Sequence, residues 1–292
     1  MYIYDGKTWF DFKFFFSKAD TLRRFWPYLL AIFAYSLLVA YVEINYLQFS
    51  VLEELKHINL LHSILGFVIS LLIVFRTNTA YDRWWEGRKV WGELTNTSRN
   101  LAIKLAAFLD SDDKDNRNFF KKYIPLYADT LRVHLNEEST RLTLDEKEHP
   151  ELARETKGKH IPNKVAKLLY MKTSQLNKEG LLTNAELINL NKDLSAFTDI
   201  CGKCERIKNT PIPYSYSSFI KRFIAIYILT LPIGYVFQLG YNVAPLTAFI
   251  AYVLGTLELI AEDIEDPFGS DPNDLPLGKM AENINKHVAE IL

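Results

Sequence analysis

The side chains that most often carry out enzyme chemistry are scattered along this sequence. The histidines are His57, His62, His134, His149, His160 and His287. They form no HExxH motif, and the chain contains neither a P-loop nor a GxGxxG fingerprint nor the Ser-His-Asp order of a hydrolase triad. We therefore expect a protein that is not an enzyme.

The two cysteines form a single C-x-x-C pair, Cys201 and Cys204. One such pair supplies half of a tetrahedral zinc site, and no second ligand pair stands at a suitable spacing. A redox pair normally lies beside a βαβ unit, and the sequence shows no such pattern. We interpret both residues as reduced thiols on a helix, and we expect no metal and no cofactor.

A second candidate for chemistry is the acidic stretch ELIAEDIEDPFGSDPNDLPL, which begins at Glu258. Its carboxylates belong to Glu258, Glu262, Asp263, Glu265, Asp266, Asp271 and Asp274. Clustered carboxylates attract hard divalent cations, but the spacing of an EF-hand loop is absent. We favour the alternative, an acidic loop that ends a helix, with Asp266-Pro267 starting a turn.

Three charge-free stretches predict the elements that position these residues. Residues 25–42, 58–75 and 223–257 contain no Asp, Glu, Lys or Arg. A membrane-spanning helix needs about 20 apolar residues, so each of the first two stretches fits one span. The third is nearly twice as long, and its interruption at residues 239–245 indicates a hairpin of two spans. A soluble helical domain with fully buried helices is the alternative, but repeated windows of this length favour a membrane protein.

Basic residues flank the predicted spans on one side. They are Lys18, Arg23 and Arg24 before the first, Arg76, Arg83, Arg88 and Lys89 after the second, and Lys221 and Arg222 before the third. The connection from Glu43 to His57 instead holds Glu43, Glu53 and Glu54 against Lys56. By the positive-inside rule, a multi-pass protein with both termini in the cytoplasm is expected.

The predicted class is all-α, with four transmembrane helices and a helical cytosolic domain. The expected segments are 1–24 (N-terminal, cytosolic), 25–80 (spans 1 and 2), 81–215 (cytosolic helices), 216–262 (spans 3 and 4) and 263–292 (C-terminal, cytosolic). Within the cytosolic helices we expect a charged turn at 110–118, an exposed excursion at 136–164 and a capping box between Thr183 and Glu186. The formal net charge of −1 gives no attraction for nucleic acid.

Three motifs in this order resemble the bestrophin family. They are Arg83-Trp84-Trp85 after the second apolar stretch, Ile212-Pro213 before the third, and Asp266-Pro267-Phe268-Gly269 after the last. The phrases RTNTAYDRWWEGRKVWG, CERIKNTPIP and EDPFGSDPNDLPL are similar to the bacterial branch, and the resemblance covers nearly the whole chain. It implies a homopentamer with one central pore in a bacterial inner membrane, whose partners are its own copies, membrane lipid and small inorganic ions.

The resemblance also implies a narrow neck lined by the second helix. Its three apolar positions, four residues apart, fall at Phe67, Leu71 and Phe75. A spacing of four keeps side chains on one helical face, so five copies would stack three apolar rings. Gly66 and Ser70 lie on the neighbouring stripe, where small side chains let helices approach closely. Such rings gate by dewetting; the alternative is that the three side chains pack against other helices or lipid.

A second constriction in this family lies at the cytosolic exit. Counting back from Cys201 places it near Ala185, with the neighbouring Glu186 as the alternative. A ring of alanines would be wide and weakly selective, whereas a ring of glutamates would favour cations.

Apolar rings do not determine which ion passes. Eukaryotic relatives conduct chloride and other anions, whereas bacterial relatives lean toward monovalent cations. The acidic residues from Glu258 to Asp274 would raise the local cation concentration if they faced the vestibule, so we predict a modest preference for cations. An anion channel of the same architecture and a non-conducting membrane scaffold remain alternatives.

Calcium regulation is not expected. In eukaryotic relatives a run of acidic residues after the fourth span binds calcium. The corresponding stretch here, Ser270-Asp271-Pro272-Asn273-Asp274, is interrupted by Pro272.

Overall fold

The computed structural model describes residues 21–47, 58–136 and 160–292. In these residues the chain forms α-helices joined by turns, so the all-α class is confirmed for them. The helices are α1 (Thr21–Val42, continued by a π-helical turn over Glu43–Leu47), α2 (Ile58–Phe108), α3 (Lys114–Asn136), α4 (Ile161–Lys178), α5 (Asn184–Asn209), α6 (Tyr214–Leu239), α7 (Val243–Glu265) and α8 (Leu277–Ile291). At about 1.5 Å per residue, α2 is about 75 Å long.

The chain divides into two compact units. Among the described residues, the span unit comprises those up to Arg83 together with 211–265, and the polar unit comprises 84–210 and 266–292. The single helix α2 therefore contributes its first half to one unit and its second half to the other.

The span unit exposes many large apolar side chains, whereas a soluble protein buries most of them. On α1, for example, the side chains of Leu30 and Leu38 are 56% and 62% exposed. Three stretches are long and apolar enough to cross a membrane, Thr21–Leu47, Asn59–Phe108 and a third within Asn184–Glu265. In the third, α6 and α7 supply the apolar helices, whereas α5 carries many charged residues. The protein therefore has helices able to span a bilayer, as the charge-free stretches predicted.

The interruption between the last two apolar helices is also confirmed. Helix α6 ends at Leu239, and Gly240 follows with a φ of 54°, a conformation that glycine adopts without a steric penalty. A short 3₁₀ turn over Gly240–Asn242 leads directly into α7. Helix α7 packs along α1, and at Gly255 the ring of Phe25 occupies the place of a side chain.

The polar unit is a helical bundle with one core. Trp91, Leu101 and Leu105 from α2 are fully buried in it, together with Phe120 and Tyr127 from α3. Helix α5 begins with the predicted capping box: the Glu186 N–H donates to the Thr183 hydroxyl, and the Glu186 carboxylate accepts from the Thr183 N–H. Two backbone groups at the start of the helix thus gain partners.

Two predicted boundaries are wrong by a few residues. The charged turn expected at 110–118 is shorter, because the Asp113 carboxylate accepts from the Asn116 N–H and α3 already begins at Lys114. The excursion expected at 136–164 ends earlier, because His160 caps α4 and the helix begins at Ile161. Its residues 137–159 lie outside the described part of the chain.

Candidate pore-lining site

The first half of α2 has one face packed in its own subunit and one face left open. Phe67, Leu71 and Phe75 lie on the open face, with 71%, 47% and 55% of their side chains exposed. Ile69 and Ile73, on the opposite face, are buried. The three apolar side chains therefore do not pack in the subunit's own core, and they form a continuous stripe along about two turns of helix.

Gly66 and Ser70 are the small residues beside the stripe on α2. A Cβ on Gly66 would lie 2.8 Å from the hydroxyl oxygen of Tyr227 on α6, so a larger residue would require the Tyr227 side chain to move. The Ser70 hydroxyl is exposed and donates to the carbonyl oxygen of Gly66 at 2.8 Å. Ser70 thus satisfies its donor within α2 and does not require a partner from another helix.

A buried ion-pair network begins one residue after the stripe. The guanidinium of Arg76 is 1% exposed, and its Nη2 lies 2.6 Å from Oε2 of Glu265 on α7. Its Nε lies 3.5 Å from Oε1 of Glu258, which is also buried. Because Arg76 and Phe75 are adjacent on the helix, this anchor fixes the rotation of α2 at the Phe75 end of the stripe.

Glu265 connects three segments of the span unit: α2, the residues just before α6, and its own helix α7. Its Oε2 accepts from Arg76, and its Oε1 accepts from the N–H of Ile212 at 2.7 Å, just before α6. Its carbonyl oxygen, at the end of α7, accepts from Nε of Arg83 at 3.0 Å. Sequence analysis did not identify this role, because it interpreted Arg76 only as one of the basic residues that flank the predicted spans.

The motif residues have structural roles in the two units. In the polar unit, the indole N–H of Trp84 donates to the carbonyl oxygen of Asn273 at 3.0 Å, and Trp84 and Trp85 stack. Phe268 is fully buried there, and the Asp266 carboxylate accepts from the Phe268 N–H at 3.2 Å.

The remaining motif positions are Pro267, Gly269 and Pro213. Pro267 is buried and lies against Gly87, where a Cβ would come within 3.0 Å of its ring. A Cβ on Gly269 would lie 2.7 Å from Oδ2 of Asp274. Pro213, in the span unit, is exposed and precedes the first residue of α6. These positions support local packing within their own units but present no reactive group.

The two residues expected at the cytosolic aperture differ in their environment. Ala185 is exposed on the first turn of α5. The carboxylate of Glu186 is held by the capping box, and the N–H and hydroxyl of Thr183 that donate to it keep the pKa of Glu186 below its usual value. Ile188, on the same face as Ala185, is 72% exposed and is the most exposed of the large apolar side chains that the structure describes in the polar unit.

The acidic stretch is largely neutralised by partners. Asp263 pairs with Arg24 at 3.0 Å, and Glu262 pairs with Lys221 at 3.0 Å. Asp274 is 2% exposed, and its Oδ2 accepts from the Asp271 N–H at 2.5 Å. Together with the Arg76 network, these contacts give most of the carboxylates from Glu258 to Asp274 a partner within the protein.

Comparisons with known proteins agree with this architecture. The sequence model for the Bacterial/Fungal Bestrophin protein family matches residues 1–290. A voltage-dependent anion channel-forming protein of Ralstonia nicotianae is 29% identical over 94% of this chain and 89% of its own, and one of Nostoc sp. is 32% identical over 77% and 75%. The crystal structure of a bacterial bestrophin homolog from Klebsiella pneumoniae, 25% identical, superposes with a TM-score of 0.79 over 90% of this chain and 96% of that chain.

The long apolar helices and the outward-facing stripe define a helical membrane protein. More particularly, the chain belongs to the bacterial and fungal bestrophin family, which the motif resemblance predicted. Bestrophins are ion channels and not enzymes.

Proposed function

We propose that five copies of this chain surround one axial pore and that small monovalent ions flow passively through it. In this arrangement the open face of α2 faces the axis, and the side chains of Phe67, Leu71 and Phe75 form three apolar rings. The observation that carries the proposal is the exposure of this stripe on a helix whose opposite face is packed and anchored by Arg76. The membrane topology is four spans, formed by α1, the first half of α2, α6 and α7, with both termini in the cytoplasm of the bacterial inner membrane.

The rings gate by dewetting. An apolar constriction too narrow to retain a column of water imposes a dehydration cost on any ion, and a slight widening allows water and ions to return. Phenylalanine and leucine offer no hydrogen bonds that would replace an ion's hydration shell. The neck therefore controls passage without selecting the sign of the charge.

Monovalent anions are the proposed ions. The relatives from Ralstonia and Nostoc are named as anion channel-forming proteins. The predicted preference for cations depended on a field from the acidic stretch, and that field is weakened because Glu258, Glu262, Asp263 and Glu265 are paired with basic side chains. Cation conduction is the outcome that would contradict this choice.

The proposed cytosolic constriction lies on the first turns of α5. Ala185 and Ile188 present small and large apolar side chains on one exposed face. Glu186 is a weaker candidate, because the capping box directs its carboxylate back to Thr183. A ring from this face would be apolar and, like the neck, insensitive to the sign of the ion.

Planar-bilayer recordings of the purified protein test conduction and ion preference together. Under a gradient of sodium chloride, we expect a reversal potential displaced toward the chloride equilibrium potential. The variant Leu71→Ala should raise the current severalfold, because it removes the side-chain branch that narrows the central ring. A displacement toward the sodium potential would overturn the anion assignment and leave the pore intact.

A matched control separates the ring from a general effect on the helix. Leu61 is 55% exposed on the same helix, but ten residues away it is rotated by about 80° from Leu71. Leu61→Ala should leave the current at the wild-type level. An equal current increase in both variants, or no current in either, would contradict the neck assignment.

A further inference from the structure

Two histidines and a glutamate meet in the polar unit. His134 lies in the last turn of α3, His160 caps α4, and Glu205 lies on α5. Oε1 of Glu205 is 2.7 Å from Nε2 of His134 and 2.6 Å from Nε2 of His160. One ligand atom from each of the three residues lies within 4.8 Å of the others. These distances fit three ligands around one ion, with only small movements of the side chains.

A fourth donor stands beside this trio. The Sγ of Cys201, one turn before Glu205 on α5, is 3.9 Å from Nε2 of His160. Cys201 is buried, and burial together with the Glu205 carboxylate raises the pKa of its thiol to about 12. Without a metal the thiol therefore keeps its proton, whereas coordination by a cation would release it.

The carboxylate at the centre is ionised at neutral pH. Burial raises the pKa of Glu205, but the hydrogen bonds from His160 and His134 outweigh burial and lower it overall. The Nε2 atoms of two imidazoles thus lie within hydrogen-bond distance of one anionic oxygen. A cation bound among them would take the place of the protons in these two hydrogen bonds. Side chains of His134, His160 and Glu205 are 29–33% exposed, so an ion can reach them from solvent.

We propose that His134, His160, Glu205 and Cys201 bind one divalent transition-metal ion of the zinc class. The mixture of nitrogen, carboxylate oxygen and thiolate sulfur suits tetrahedral Zn²⁺ or Co²⁺. Calcium and magnesium require oxygen ligands, of which this cluster has too few. The site joins the end of α3 and the start of α4, the two helices on either side of residues 137–159, to α5.

Binding has a defined local consequence at His160. Its Nδ1 now accepts from the Asn163 N–H at 3.2 Å, so the ring proton lies on Nε2, toward Glu205. A metal on Nε2 requires the other tautomer, with the proton on Nδ1. The N–H of Asn163 then loses this acceptor, and the cap of α4 must rearrange.

Cobalt titration of the full-length, untagged protein, freed of metal by chelation, tests the proposal. Wild type should bind about one Co²⁺ per chain, with the intense visible bands of tetrahedral cobalt. Added Zn²⁺ should bleach these bands by competition. Weak bands of octahedral cobalt only, or no saturable binding, would overturn the proposal whatever the variants show.

Four variants assign the ligands. His134→Ala and Glu205→Gln should each weaken cobalt binding by at least about tenfold, since loss of even an outer-shell partner of a metal ligand typically costs about 10- to 100-fold. His287→Ala is the matched control, because this histidine lies in the same unit beside Arg99, and this variant should bind cobalt as wild type does.

Cys201→Ser should remove the near-ultraviolet sulfur-to-cobalt band and retain tetrahedral cobalt. Persistence of that band would overturn the assignment of Cys201. Equal binding by wild type and His134→Ala would overturn the site itself.

Discussion

At the scale of single residues, close packing around the motif after α7 depends on the missing side chain of Gly87. A Cβ there would lie 3.0 Å from Cγ of Pro267 and 3.2 Å from the Phe268 ring. Neither ring can retreat easily, because Phe268 is fully buried in the core of the polar unit. We expect Gly87→Ala to lower stability by about 1–3 kcal/mol, the usual cost of overpacking. A fall in Tm of the detergent-solubilised protein would show this effect.

Gly202 supplies the comparison for this substitution. It also lies within a helix, α5, but a Cβ added there would have no neighbouring atom within 4 Å. Alanine is favoured over glycine inside a helix by about 0.5–1 kcal/mol, so Gly202→Ala should leave Tm unchanged or raise it. If Gly87→Ala behaved in the same way, steric contact with Phe268 would not explain the glycine.

At the scale of elements, the Arg76 network determines how α2 packs against α7. Removing the guanidinium would leave Glu258 and Glu265 in a buried site without their cation. Breaking one partner of a buried pair costs about 3–5 kcal/mol. We therefore expect Arg76→Met to lower Tm strongly and to change channel current, because the rotation of the Phe75 stripe is no longer fixed. Thermal unfolding in detergent and bilayer recordings would measure the two effects.

An exposed ion pair between α6 and α7 gives the contrast. Lys221 and Glu262 are 46% and 45% exposed, and such pairs contribute at most about 1 kcal/mol. Lys221→Met should therefore change Tm little. Equal losses in Arg76→Met and Lys221→Met would show that burial of the network does not determine its contribution. Adding Glu258→Gln to Arg76→Met should recover part of the loss, since one unpaired carboxylate is removed.

The helices themselves could be predicted from local patterns, whereas their partners could not. Charge-free length identifies the first half of α2, because it depends only on neighbouring residues. The choice of Phe67 and Leu71 came from the family resemblance, and helical spacing adds only that they share a face. The partner of Arg76 lies 189 residues away in Glu265. Likewise the ligand cluster joins His134 to Glu205 across 71 residues. Such pairs depend on which helices pack together, and no sequence spacing encodes that.

At the scale of the whole molecule, the proposed pore needs more than one chain, because a single helical stripe cannot enclose it. If Phe67, Leu71 and Phe75 line the pore as proposed, copies of them must surround a common axis in a closed cyclic assembly. The family resemblance implies five copies. Purified protein should then have a mass of about 170 kDa without detergent, five times the 33.9 kDa chain, when measured by native mass spectrometry.

Mixing subunits tests both the number of copies and their contribution to one pore. If every subunit places Leu71 in the same ring, each Leu71→Ala copy in a mixed assembly should widen the ring by one further side chain. Single channels from co-expressed wild-type and variant chains should then show graded intermediate conductances, one for each composition between all wild type and all variant. Leu61→Ala mixtures should give a single level, because that side chain lies off the stripe. If Leu71→Ala mixtures showed only the two parental conductance levels, each chain would conduct through its own path. A measured mass that differs from that of five chains would contradict the pentamer. The conductance levels would still decide whether the chains share one ring.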